Sequence, residues 1–135
     1  MVKVIYEDNH LLVVEKPVNI LSQGDDTNDK DMVNLLKDYV KVKYNKPGNV
    51  FIGLVHRLDR PVGGVMVFAK TSKAASRLSE QVRSKTLKKT YRAVIHGNMK
   101  KEEDTLKDYL YKNKKGRKKS DRITKYHSTI IYTLI

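Results

Sequence analysis

A chain of 135 residues, 39% hydrophobic and 32% charged, can bury one core but not two, so a single folded domain over residues 1–135 is expected. Its 28 Lys and Arg against 15 Asp and Glu give a formal charge of +13, which attracts polyanions over a Debye length or more and makes a nucleic acid the expected partner. The lack of cysteine excludes disulfides, thiolate nucleophiles and cysteine-based zinc sites; no apolar run approaches the ~20 residues of a membrane span, so a cytoplasmic protein with no membrane partner is expected, its oligomeric state open with a monomer favoured.

Val2, Val4 and Tyr6 alternate with Lys3 and Ile5, Glu7-Asp8-Asn9 signals a turn, and His10 to Glu15 is a branched apolar run. This predicts two strands joined by a tight connection. Lys16-Pro17 closes the second, because proline brings no donor to a ladder and restricts the residue before it. The Lys-Pro pair reads as architecture, and the polar stretch Ser22 to Lys30 as a loop. Met32, Leu35, Leu36, Tyr39, Val40 and Val42 fall at helical spacing, with Asp29 or Asp31 able to cap the helix and Asn45 to Asn49 breaking it.

Val50 to Val55 is a run of strand length, His56 to Gly64 a glycine-ended loop, and Val65 to Ala69 another strand. Thr71 or Ser72 can cap a helix with Ala74, Ala75, Leu78 and Val82 on one side and Lys73, Arg77, Glu80 and Arg83 toward solvent. Lys89 to Ile95 alternates as a strand does, with Tyr91, Ala93 and Ile95 sharing a face, and stops at Gly97. Lys112 to Lys119 is dense in cations around Gly116. Like charges repel and keep such a block open, so a solvated loop is expected; Lys114, Lys115, Arg117, Lys118 and Lys119 are also the candidate nucleic-acid contacts. Tyr126 to Ile135 has strand propensity and ends without a polar cap, so a sheet completed by further chain is expected.

The chemistry concentrates between the third and fourth predicted strands. Asp59 stands between Arg57 and Arg60, after an apolar strand and before Gly63-Gly64, and rigid strands commonly present reactive groups on such loops. The arginines bring positive charge to the carboxylate and can grip phosphates. On spacing alone, a surface ion-pair loop is the favoured reading of the same residues, because exposed Arg/Asp pairs are common. His56 with Asp59 supplies too few ligands for a metal.

Val55-His56-Arg57-Leu58-Asp59-Arg60, followed by Gly64 to Thr71, is similar to the signature loop and strand of RluA-type pseudouridine synthases. Tyr6 to His10, Val13 to Pro17 and Lys89 to Val94 match the same family in order, so the resemblance covers roughly the first 97 residues. It implies a mixed α/β catalytic domain with a central, largely antiparallel sheet and flanking helices. The implied activity is isomerisation of uridine to pseudouridine in ribosomal or transfer RNA, with no cofactor. Asp59 matches the reacting carboxylate, which attacks the sugar carbon or accepts a proton from the sugar. Arg57 matches the arginine that fills the gap left by a flipped nucleotide, Tyr91 the active-site tyrosine, and Arg60 and His56 join the substrate site, His56 by hydrogen bonding that positions the loop.

The chain departs from this pattern twice. The family usually carries Ser or Thr before the glycine where this chain has Gly63, so a hydroxyl able to brace the loop is missing. The family's Gly-Arg-x-His-Gln-Ile-Arg motif, whose arginine pairs with the carboxylate, has no counterpart up to Ile135, so a domain lacking its C-terminal part is expected. A non-catalytic relative that only holds RNA is the alternative.

Overall fold

The first hairpin, residues 3–16, turns at Asp8, whose Oδ1 accepts the N–H groups of His10 at 2.7 Å and Leu11 at 2.6 Å. A computed structural model describes residues 2–27, 29–94, 96, 97 and 101, and the backbone of three further strands at 103–112, 118–120 and 126–133. Two units divide the chain, Met1–Thr90 and Tyr91–Ile135. In the first, β1 (Lys3–Glu7), β2 (Leu11–Lys16), β3 (Gly53–Leu54) and β4 (Gly64–Ala69) make a sheet in the order β1-β2-β4-β3, with every pair antiparallel.

The period of two along β2 and β4 sorts their side chains between two helices. Leu12 lies opposite Phe68 and Val14 opposite Met66, and all four are buried with Met32, Leu36 and Val40 of α1 (Met32–Lys43). On the other face, Leu11, Val67 and Ala69 pack with Ala74 and Leu78 of α2 (Ser72–Arg83). A central antiparallel sheet with a helix on each side is thus the expected mixed α/β class. Each fully buried large apolar side chain stabilises this arrangement by about 1.5–3 kcal/mol. Asp31 caps α1 by accepting the N–H of Asn34, and Thr71 caps α2 by accepting that of Ala74.

A polar cluster ties β1 to α1 and to the residue after β4. The Glu7 carboxylate, 7% exposed, binds Lys43 and Lys70, each at 2.7 Å. It also accepts the hydroxyls of Tyr44 at 2.8 Å and Tyr39 at 2.9 Å. Burial alone would raise the pKa of Glu7, but these four donors together outweigh it and bring it from 4.5 down to about 2.

Three elements differ from the sequence reading. Of the strand expected over Val50 to Val55, only the two residues of β3 pair with β4, and at the next position the Val67 N–H goes to the His56 side chain. Val42, assigned by spacing to the apolar face of α1, is 82% exposed at the end of that helix. Residues 89–94, expected as a strand, have no regular secondary structure, since a strand needs ladder bonds and no described strand pairs with this stretch; Ile95 lies outside the described residues.

The second unit contains an antiparallel sheet in the order β6-β5-β7, built from β5 (Glu103–Lys112), β6 (Lys118–Ser120) and β7 (Tyr126–Thr133). β7 follows the expected strand. Lys118 and Lys119 belong to β6, paired with Lys112 and Tyr111, rather than to an open loop. Lys114, Lys115 and Arg117 lie outside the described residues.

Candidate active site

The loop between β3 and β4, residues 55–63, carries His56, Arg57, Asp59 and Arg60, the last three exposed. Its backbone is fastened from three directions. Lys16, the last residue of β2, is on the α1 face of the sheet and is 0% exposed. Its ammonium donates to the carbonyls of Val62 at 2.7 Å, Pro17 at 3.0 Å and Arg60 at 3.2 Å. A buried cation satisfied by backbone oxygens is costly to misplace, so Lys16 fixes where the loop turns back toward β4. Burial lowers the pKa of Lys16 and the charge of Asp59 opposes that effect.

The second fastening is Ser22, 6% exposed. Its hydroxyl donates to the Leu58 carbonyl at 2.6 Å and accepts the Leu58 N–H at 3.0 Å. The third is His56, whose Nε2 accepts the Val67 N–H at 3.2 Å. Accepting at Nε2 places the ring proton on Nδ1, which is buried and has no partner among the described residues. Burial, and to a smaller extent the charge of Lys89, lowers the pKa of His56 and favours this neutral form. The expected loop support by His56 therefore has a specific partner, the backbone of β4.

The arginines turn to other partners than Asp59. Arg57 donates to Gln23 Oε1 at 2.6 Å, and Arg60 forms a 2.8 Å ion pair with Asp29 that is half exposed and hence weak. The backbone of Asp59 closes a turn by accepting the N–H of Val62 at 3.0 Å. No hydrogen bond or ion pair engages its carboxylate among the described residues. The loop is thus rigid in its main chain on both sides of an exposed, unengaged acid.

The glycines finish this frame. A Cβ on Gly63 would stand 3.2 Å from the Val18 side chain and 3.3 Å from the Lys16 carbonyl, so a side chain there would press on the β2 end. Gly64 enters β4 at a φ of +146°, which L-residues rarely adopt. The bracing of this loop comes from Lys16 and Ser22. Sequence reasoning missed Ser22 and Gln23, whose polar surroundings read only as a loop.

A family model described as RNA pseudouridylate synthase matches residues 10–134. The chain belongs to the RNA pseudouridylate synthase family. Among similar curated members, a ribosomal large subunit pseudouridine synthase C of Buchnera aphidicola is 34% identical over 83% of this chain and 35% of its own length. A ribosomal large subunit pseudouridine synthase D of Borreliella burgdorferi is 32% identical over 87% of this chain and 37% of its own length. This family member therefore spans about a third of the length of those relatives. A human structure titled RNA pseudouridylate synthase domain containing 4 shares the fold at a TM-score of 0.66 and 18% identity, over 96% of this chain and 51% of that one.

Tyr91, the remaining candidate of the family pattern, belongs to the second unit, in the irregular stretch 91–94, with 60% of its surface exposed. Among the described residues no group of His, Asp and Glu is arranged to hold a metal ion. No described helix is long and apolar enough to cross a membrane.

Proposed function

We propose that the protein carrying this chain isomerises uridine to pseudouridine in RNA, with Asp59 as the reacting carboxylate. The observation that carries this reading is the exposed acid at 59, without a hydrogen bond or ion pair among the described residues, between backbone positions held by Lys16 and Ser22. The reaction breaks the N1–C1′ bond, turns the uracil and joins C5 to C1′; N1 gains the proton that C5 loses, so atoms balance without a further reactant. Attack on the sugar carbon and removal of a sugar proton both need an ionised carboxylate that is held in place and open to the substrate.

Arg57 fills the position left by the flipped uridine, exchanging a single neutral hydrogen bond to Gln23 for stacking and phosphate contacts. Arg60 contributes a phosphate contact, and the exposed ring of Tyr91 packs on the uracil. Ribosomal RNA is the substrate class, in line with the names of the relatives above. The protein works in the cytoplasm as a monomer. Lys114, Lys115, Arg117, Lys118 and Lys119 supply further phosphate contacts, in keeping with the net charge of +13.

The test is tritium release from RNA labelled at C5 of uridine. The wild-type protein should release tritium, while Asp59→Asn should bind the same RNA within about twofold and release none, because an amide of the same shape is neither nucleophile nor base. Wild-type turnover by Asp59→Asn, or RNA binding by the wild type without any release, would overturn the assignment.

A further inference from the structure

We infer that Ser22 is a positioning residue for Asp59, acting through the backbone of Leu58. The inference rests on the isomerase reading above, but its geometry stands apart from it. In an extended residue the N–H and C=O groups point to the same side, where a neighbouring strand would normally meet both. At Leu58 no strand among the described residues does so. One hydroxyl occupies that place, donating to the carbonyl at 2.6 Å and accepting from the N–H at 3.0 Å. Both planes of the peptide backbone at Leu58 are thereby fixed, and the second of them leads directly into Asp59.

Ser22 can do this because it is itself rigid. It is buried, and its hydroxyl also touches the Met66 sulfur at 3.7 Å. The residue before it is locked to the start of α1: the Leu21 carbonyl accepts the Met32 N–H at 2.8 Å. Asp31, which is 3% exposed, caps that same helix. A continuous path of main-chain and hydroxyl bonds therefore runs from the α1 N-terminus through Leu21 and Ser22 to Leu58 and the acid. The partners are 36 residues apart in sequence, so the path is tertiary rather than part of a local turn. Lys16 holds the residues after Asp59 and Ser22 the residue directly before it, so removing either loosens one flank of the acid.

The consequence is specific. Without the hydroxyl, the carboxylate stays exposed and the RNA-facing side chains are unchanged, but its placement loosens. A misplacement of about 1 Å costs on the order of a hundredfold in rate, so Ser22→Ala should lower kcat by about 10- to 100-fold while RNA affinity stays within about threefold. Ser22→Thr, which keeps the hydroxyl, should recover most of that loss.

The experiment measures tritium release, RNA affinity, thermal melting and the hydrogen-exchange protection of the Leu58 amide for wild type, Ser22→Ala and Ser22→Thr. Expected are a protected Leu58 amide in the wild type and in Ser22→Thr, loss of that protection in Ser22→Ala, and a kcat loss at temperatures where all three proteins are folded. Wild-type kcat in Ser22→Ala, or a Leu58 amide unprotected in the wild type, would overturn the inference. A wild type that protects Leu58 but releases no tritium from any RNA would overturn the isomerase reading and leave the clamp standing.

Discussion

Replacing Glu7 by Gln removes one negative charge, keeps the side-chain shape, and leaves Lys70, whose side chain is 9% exposed, without an ionic partner. The displacement of Glu7 from 4.5 to about 2 sets the magnitude, because one pKa unit corresponds to about 1.4 kcal/mol of differential stabilisation. The charge on Glu7 is therefore worth about 3 kcal/mol to the folded state at neutral pH. The carboxylate is largely covered, but its partner Lys43 is 45% exposed, so solvent screening makes this figure an upper bound. Because the folded pKa is the lower one, this stability is complete above pH 4.5 and is lost as pH falls from 4.5 through about 2. Urea unfolding of both proteins across pH 7 to 2 is the assay. Glu7→Gln should unfold up to about 3 kcal/mol more easily at pH 7, equivalent at that bound to roughly 10–20 °C in a domain of this size, and the gap should close toward pH 2. A gap below about 0.5 kcal/mol at pH 7, or one that does not change with pH, would refute the reasoning.

Lys16→Met should leave the Val62 and Pro17 carbonyls without this partner and lower turnover far more than RNA affinity; wild-type turnover in that variant would show that the loop holds its shape without the ammonium. RNA affinity should fall steeply with salt, with a logarithmic slope of about −0.7 per phosphate contact on single strands, and replacing Lys114, Lys115, Lys118 and Lys119 together should flatten it by up to about 3 units. An unchanged slope in a salt titration would remove those lysines from the RNA surface.

What the sequence disclosed follows from how each feature is encoded. Both helices, with caps at Asp31 and Thr71, and the alternating strands β2 and β4 were legible because local spacing dictates them. The loop with Asp59 was legible as a motif and lies where the motif placed it, between β3 and β4. The contacts that shape it were not. Ser22 and Gln23 reach across 36 and 34 residues, and Lys16 across 44 and 46, and pairings of that separation leave no period in the chain. Glu7 read as part of a turn although it ends β1 beneath two lysines and two tyrosines. β5 went unread because Asp104, Lys107 and Asp108 interrupt its apolar residues, so neither of its faces shows a simple alternation.

The ammonium of Lys16 grips main-chain oxygens, and every residue type offers one of those. The shape of the turn is therefore indifferent to which side chains stand at 60 and 62, and natural drift or deliberate library design there can alter RNA preference without redrawing the backbone that presents the acid. The reverse holds for anyone grafting this loop onto another sheet. Transplanting residues 56–64 alone would carry the reactive group and leave its scaffold behind, whereas a graft that also brings a lysine at 16 and a serine at 22 would carry the geometry with it.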